Sequence, residues 1–553
     1  MPMTRTLLVR PPELHGVSFA QFYTLHESLG IGYLAAYLRA HGHAVEILDA
    51  HVEGLSVKET IARIEKRGSD LLGFSIVSSL VMPQTVQIIR EIKAKQTNLH
   101  VTMGGQHPTF FYESILKKSP GVDSVVRFEG EETLLALIEK IDQPDDWKSI
   151  QGIAFRENGS IRATPPRPLI KDLDSLPFPA RDTLPLLMGK GGLPLLSTSR
   201  GCTSRCSFCS VHCFYNTPKG RNWRARSSEN VLQEIEILNR EFGCDELWFV
   251  DDNFLGPGKL GRRRVRSFFP LLEKSGIKLK RIDFSCRADS VVQEPDLIDL
   301  AAKHGAGLVY LGVEAGVQRI LDLYNKGTTV EQNTKAVRVI KDSGAEIKME
   351  FILFNPWITF EEVKETISFL ETVGVYDPYI LTSVLTIMKH TPMAREIEAG
   401  RLKVVSPPPD ELARFDLDAF VPYQISDERC RALFQIVSMV ISQVEPALCA
   451  TYDVYNLLQK RRKTLRAETV SQYKEAIDDY QQLINETSLD LFKDAVAAVE
   501  KMDLPVDAEL LRSYGEDLTQ KTLRFAAFLT NIVKTQEKEL QEYLDESAEH
   551  ITV

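Results

Sequence analysis

Cys202, Cys206 and Cys209 lie on one short loop as a C-x3-C-x2-C run, with Phe208 just before the last cysteine. Three thiolates so spaced can hold three irons of a 4Fe–4S cube and leave the fourth iron open to a chelating ligand. An open iron separates a catalytic centre from a redox relay. A zinc knuckle is the rival chemistry, and His212 or Cys213 is near enough to supply its fourth ligand. Zinc sites usually come as separated C-x2-C pairs, and the chain has no second pair. Buried, inert thiols are the third possibility.

The apolar run Leu193–Leu196 should be a strand that empties into this loop. Residues 191–395 go on alternating strand and helix signals. Strands are expected at Leu193–Ser197, Glu246–Val250, Arg281–Cys286, Leu308–Val313, Ile347–Phe354 and Ile380–Ile387. Six parallel strands with intervening helices make a partial, open (β/α)6 barrel, whose chemistry belongs on loops at the carboxyl ends of strands. Those ends carry Asp251-Asp252-Asn253, Ser285-Cys286-Arg287, Glu314 and Asn355-Pro356. An arginine fork suits a carboxylate, and a carboxylate accepts hydrogen bonds from two hydroxyls.

Residues 1–140 show the same alternation, with strands expected at Thr6–Val9, Ala44–Leu48, Leu71–Ile76, His100–Met103 and Ser124–Arg127. This is the pattern of a flavodoxin-like, doubly wound α/β domain, which binds ligands at the carboxyl ends of its strands. There stand Ser75, Ser78 and Ser79, then Gly104, Gly105 and His107, then Glu129 and Gly130. Glycines let the backbone approach a large flat ligand and serines offer hydrogen bonds. A domain of this shape that binds nothing is the alternative.

Residues 141–190 read as a linker, since Pro165, Pro166, Pro168, Pro177, Pro179 and Pro185 rule out a long helix. A hairpin is expected at Gly152–Ile161, turning at Asn158-Gly159. Residues 396–553 read as a helical C-terminal domain. Apolar residues at spacings of three and four, such as Leu433, Ile436, Val437, Val440 and later Leu523, Phe525, Phe528, Leu529, Ile532, Val533, carry that reading.

The charge balance of the 553 residues is 66 − 76 = −10, which argues against broad nucleic-acid binding. Eight cysteines are too few for a disulfide scaffold and suit a reducing compartment. No apolar run is long enough to span a bilayer. The N-terminus lacks a signal-peptide pattern, so a soluble, cytoplasmic protein is expected.

The cysteine loop, with Ser199-Arg200-Gly201 ahead of it and Phe208 within it, resembles the cluster loop of the radical SAM enzymes. The first domain, with Ser75-x-Val77 and Gly104-Gly105, resembles the cobalamin-binding domain that precedes many such cores. Over nearly the first 400 residues the chain therefore resembles the cobalamin-dependent radical SAM enzymes. That resemblance implies a 4Fe–4S cluster on Cys202, Cys206 and Cys209. It also implies S-adenosylmethionine held at its amino group by Asp251, Asp252 and Asn253, and at its carboxylate by Arg287, with Ser285 on the same strand. Glu314 would take the ribose hydroxyls. Cobalamin would sit among Ser75, Ser78, Ser79, Gly104, Gly105, His107, Glu129 and Gly130.

Two departures from the family pattern matter. Asn355-Pro356 replaces a Gly-rich strand ending, which leaves the adenine contacts open. Leu29 stands where a cobalt-ligating histidine would fall, and Asp49-x-His51-x-x-Gly54 matches its letters but follows the second strand, too close to Ser75. Base-off cobalamin without a histidine ligand is expected. The implied activity is methylation of an unactivated carbon of a small molecule or natural-product precursor, using methylcobalamin and a 5′-deoxyadenosyl radical. An external donor such as flavodoxin or ferredoxin would supply electrons. Cyclisation or rearrangement without net methylation, and polar methyl transfer, share these motifs and stay open. A methylthiotransferase-like enzyme should carry further N-terminal cysteines, and none precedes Cys202.

Overall fold

In the computed structural model, residues 4–13, 25–143, 146–408, 418–441 and 467–503 are described, with 513 and 538 alone beyond them. The first sheet has the order β2-β1-β3-β4-β5-β6-β7. Its strands are β1 (Arg5–Arg10), β2 (Ala44–Asp49), β3 (Leu71–Ser75), β4 (His100–Gly104), β5 (Ser124–Val126), β6 (Ile153–Glu157) and β7 (Ser160–Ala163). The first five run parallel. Helices cover both faces, so Leu7 and Val9 pack into one apolar cluster and Leu8 into another. Burial on both faces is why these strands read as continuous apolar runs. The strand order reverses between β1 and β3, which opens a crevice at their carboxyl ends.

The hairpin β6–β7 turns at Asn158-Gly159 and extends this first sheet, pairing antiparallel with β5. The proline-rich stretch after it leads to β8 (Leu195–Leu196). Next come β9 (Ser199–Arg200) and β10 (Arg224–Ala225), a small antiparallel pair that brackets the cysteine loop.

The second sheet is parallel, in the order β14-β13-β12-β11-β8, with β11 (Glu246–Phe249), β12 (Arg281–Arg287), β13 (Ala306–Glu314) and β14 (Glu346–Phe351). The expected sixth strand, Ile380–Ile387, is not one. Pro378–Thr382 is a short helix, capped by the Asp377 side chain on the Ile380 N–H, and only Val384 bridges to Phe354. A proline in the first turn has its φ preset for a helix and no N–H to give a ladder.

Along β13 the residues alternate between buried and accessible. Val309, Leu311 and Val313 pack against the helices, whereas Tyr310, Gly312 and Glu314 face inward and stay accessible. A closed barrel fills this space with side chains. Here it is a chamber.

Beyond the barrel, helices Glu428–Ile441 and Ala467–Glu500 are described. Leu433, Ile436, Val437 and Val440 join the same apolar cluster as the barrel helices, as do Leu489 and Phe492. The second apolar stretch named from the sequence, Leu523–Val533, lies outside the described residues. No helix among the described residues is long and apolar enough to cross a membrane.

Candidate functional site

The cysteine loop begins where β9 ends. Gly201 has φ 88°, and a Cβ there would fall 1.9 Å from the Asn222 carbonyl oxygen, so only glycine permits this turn. The loop is then pinned from the far side of the barrel. Ser207 donates from its N–H to the Tyr324 carbonyl at 2.8 Å and from Oγ to the Leu323 carbonyl at 3.1 Å. Asn325 donates to the Arg205 carbonyl at 2.8 Å, and the Phe208 ring packs edge-on to Tyr324. Cys202, Cys206 and Cys209 are all free thiols, and Cys206 is buried.

Among the described residues no three ligating side chains converge tightly enough for one metal ion. A zinc knuckle needs that convergence, whereas a cube takes each thiolate on a different iron. Cys213 is buried on the helix Ser210–Asn216, and its Sγ donates to the His390 carbonyl. Burial pushes the Cys209 thiol up to about 12. Such a proton is what a bound cation displaces. The donor set fits a cluster.

Asp251, Asp252 and Asn253 follow β11 and do three different things. Asp251 is buried and accepts from Thr198 Oγ1 at 2.9 Å and from Ser199 Oγ, with Arg264 donating to the same Thr198 hydroxyl. Asp252 accepts from the Gly201 N–H at 3.1 Å; burial, then the neighbouring Asp251 charge, raises its carboxyl to about 6. Asn253 bridges strands, accepting from the Arg287 N–H and donating to Ser290. Ser285 enters through its backbone carbonyl, which takes the Phe254 N–H at 2.8 Å.

Arg287 ends β12 with its guanidinium held by three partners. It donates to Asp289 Oδ1 at 2.9 Å, to the Lys326 carbonyl at 2.6 Å and to the Cys206 sulfur at 3.5 Å. Glu314 ends β13 at a register shift against β14, with φ 69°, unusual for a non-glycine residue. Its carboxylate takes the buried Lys326 ammonium at 2.6 Å. A carboxylate held in strained backbone over an open chamber is the kind of feature functional sites store.

On the first sheet, a cleft of about 350 Å³ opens beside β3, β4 and β5. Ser75, Gly104, Gly105, Glu129 and Gly130 line it, as does Leu29 from the first helix. The opposite wall comes from the barrel, through Ser197, Val250 and Asp252. Gly105 has φ 101°, and a Cβ there would meet the Ile76 carbonyl oxygen at 2.4 Å. Among the described residues that line it, none is a histidine. A floor without side chains and walls that are mainly apolar suit a large, flat, partly apolar ligand.

Ser78, Ser79 and His107 are not in that lining. Ser78 is exposed and caps the Leu80 N–H, while His107 is buried against Phe111. His51 ends up at the carboxyl end of β2, 3.7 Å from Glu13 and 6.4 Å from the His26 ring.

Ion pairs that lock the two sheets together were not anticipated from the sequence. Arg200 pairs with Glu129 at 3.2 Å and Glu131 at 2.7 Å, and Arg224 pairs with Glu129 at 2.9 Å. Burial alone would raise the Glu129 carboxyl, but the two guanidiniums outweigh it and hold it below the usual carboxylate range. Arg181 bridges Glu27 and Glu234, all three buried. Lys326 and Asp289 were also missed as site residues.

Comparison with known proteins places these features in context. The B12 binding domain model matches residues 17–138, and the Radical SAM superfamily model matches residues 196–370. An uncharacterized methyltransferase of Pyrococcus horikoshii is 34% identical over 380 residues, covering 68% of this chain and 79% of that protein. The anaerobic magnesium-protoporphyrin IX monomethyl ester cyclase of Rubrivivax gelatinosus is 30% identical over 348 residues, 61% of this chain and 60% of its own. Among solved structures, the cobalamin-dependent S-adenosylmethionine radical enzyme OxsB, with aqua-cobalamin and S-adenosylmethionine bound, shares the fold. Its TM-score is 0.73 at 20% identity, covering 100% of this chain and 82% of that one.

Proposed function

The chain belongs to the cobalamin-dependent radical SAM enzymes, and we propose that it methylates an unactivated carbon of a small molecule. The observation that carries this reading is one cleft walled by both domains. Glycine-rich strand ends of the first sheet face Ser197, Val250 and Asp252 of the barrel, and Asp252 in turn holds Gly201, next to the first cysteine. The similarity to the Pyrococcus horikoshii methyltransferase points the same way.

In this reading Cys202, Cys206 and Cys209 hold the cluster, and Arg287 and Glu314 hold S-adenosylmethionine by its carboxylate and ribose. Ser75, Gly104 and Gly105 seat the cobalamin. When bound, these groups supply a carbon-centred radical and a transferable methyl group, so the hard chemistry is theirs. The chain contributes position. Asp289 and the Lys326 carbonyl fix the Arg287 fork beside Cys206. Lys326 neutralises Glu314 until hydroxyls compete for it. Apolar lining such as Leu29 and Phe214 keeps water from the space between the domains. An external donor of the flavodoxin or ferredoxin type would deliver the electrons.

A second reading is favoured by the similarity to the Rubrivivax gelatinosus cyclase, namely ring formation or rearrangement without net methylation. Anaerobic turnover with candidate substrates separates them by products. Radical methylation releases both S-adenosylhomocysteine and 5′-deoxyadenosine. Cyclisation releases 5′-deoxyadenosine alone, and polar methyl transfer releases S-adenosylhomocysteine alone.

A further inference from the structure

The chamber inside the barrel carries a charged group, Glu350, that has no partner among the described residues. Several charged residues on its wall come in pairs: Arg281 with Asp283 at 2.8 Å, Glu314 with Lys326 at 2.6 Å, and Lys348 with Asp377 at 2.5 Å. Arg287 is taken up by Asp289. Glu350 follows Lys348 on the same side of β14, with Met349 and Phe351 turned into the core between and after them. Among the described residues its carboxylate has no hydrogen bond and no ion pair, and it is open to water although protein surrounds it. Burial, and then the Glu314 charge, raises its carboxyl above the usual range. Lys348 and Lys326 act the other way without bonding to it, so the carboxylate keeps its oxygens for a charged donor on a ligand.

Its surroundings describe that cation's carrier. Glu350 registers with Gly312, and Lys348 with Tyr310 one step below. Gly312 has no side chain, and the Lys326 ammonium and Glu314 carboxylate take up the space beside it, 2.8 and 3.2 Å from where a Cβ would stand. Tyr310 is stacked on Trp248 at 5.2 Å and 13°, forming an aromatic wall across β12. Trp248 Nε1 is buried and finds no acceptor among the described residues. Aromatic faces attract both flat apolar groups and cations, and a carboxylate forms its strongest hydrogen bonds with charged donors.

We propose that Glu350 and the Trp248–Tyr310 pair select a substrate that carries a protonated nitrogen joined to a flat apolar group. This rests on the reading above, that the chain acts on a small molecule, and it seats that molecule in the barrel chamber.

Three probes with one ring and different charge test it: 2-phenylethylamine, 2-phenylethanol and phenylacetate. Binding is measured by anaerobic equilibrium dialysis against protein loaded with cluster, cobalamin and S-adenosylmethionine. The amine should bind about tenfold or more tighter than the alcohol, with phenylacetate weakest. Glu350→Gln should erase that preference while S-adenosylmethionine affinity stays as in the wild type. Trp248→Leu should weaken the amine and the alcohol together and keep the preference between them. Equal binding of amine and alcohol by the wild type overturns the proposal, as does a preference that survives Glu350→Gln. A loss of S-adenosylmethionine affinity in Glu350→Gln also overturns it, by assigning the carboxylate to that ligand. Reductive release of 5′-deoxyadenosine by the wild type is measured separately. Its absence would sink the radical reading, whatever the dialysis shows.

Discussion

Arg287 Nη1 lies 3.5 Å from the Cys206 sulfur, which joins the end of the third barrel strand to the cysteine loop. The same guanidinium holds Asp289 and the Lys326 carbonyl, so its plane is fixed from three sides. A ligand carboxylate would meet a donor fork already oriented.

Arg287→Ala should therefore weaken S-adenosylmethionine binding by about ten- to a hundredfold, the loss expected of a charge-assisted contact. Arg287→Lys should restore little, because a lysine offers a point charge without the fork. Dialysis on cluster-loaded variants measures both. Unchanged affinity in Arg287→Ala would remove Arg287 from the site.

The three loop cysteines should behave unlike Cys213. Anaerobically reconstituted wild type should hold about four irons per chain in one cube. Cys213→Ala should keep them, since its Sγ is turned to the His390 carbonyl. Cys206→Ala should lose most of the iron. Equal loss in both variants would restore the four-ligand reading.

Cobalamin should bind with no nitrogen ligand from the protein. Leu29 lines the cleft where an imidazole was to be expected, and no histidine lines it among the described residues. His51 is occupied beside Glu13 and His26. Electron paramagnetic resonance of the Co(II) form should show hyperfine lines without nitrogen splitting, in wild type and in His51→Ala alike. Splitting that disappears in His51→Ala would make His51 the ligand.

Arg181 should matter for holding the domains together. Removing it leaves Glu27 and Glu234 buried without their shared cation, so Arg181→Ala should cost about 3–5 kcal/mol at neutral pH. Burial already raises the Glu27 carboxyl, and loss of the opposing Arg181 charge raises it further. A carboxyl with a raised folded-state pKa is most stable protonated and loses stability as pH rises through that pKa. The gap between variant and wild type should thus be smaller at pH 5 than at pH 7.5 in thermal unfolding. A gap that widens on acidification would refute this account.

Much of this protein could be read locally. Short apolar runs alternating with helical patterns placed the five strands of the first domain and the first five of the barrel, because a strand buried on both faces stays apolar along its length. The cysteine loop was legible because its ligands sit within a few residues of one another. Even there the limits show: the apolar run at Ile380 became a helix because Pro378 and Asp377 supply a helix start that apolar content does not reveal.

What the tertiary structure decided lies at long range. Arg200 meets Glu129 and Glu131 across 71 and 69 residues of sequence, and Glu314 meets Lys326 only because a loop returns to the chamber. Ser78, Ser79 and His107 have the right types and nearly the right places, yet they are not among the residues that line the cleft. Glu350 had no motif to mark it. Its standing comes from the register of β14 on β13 and from the nearby Glu314 and Asp377 each holding a lysine that it does not. Residue spacing states which groups can act, and only the packing of strand against strand settles which of them face the same space.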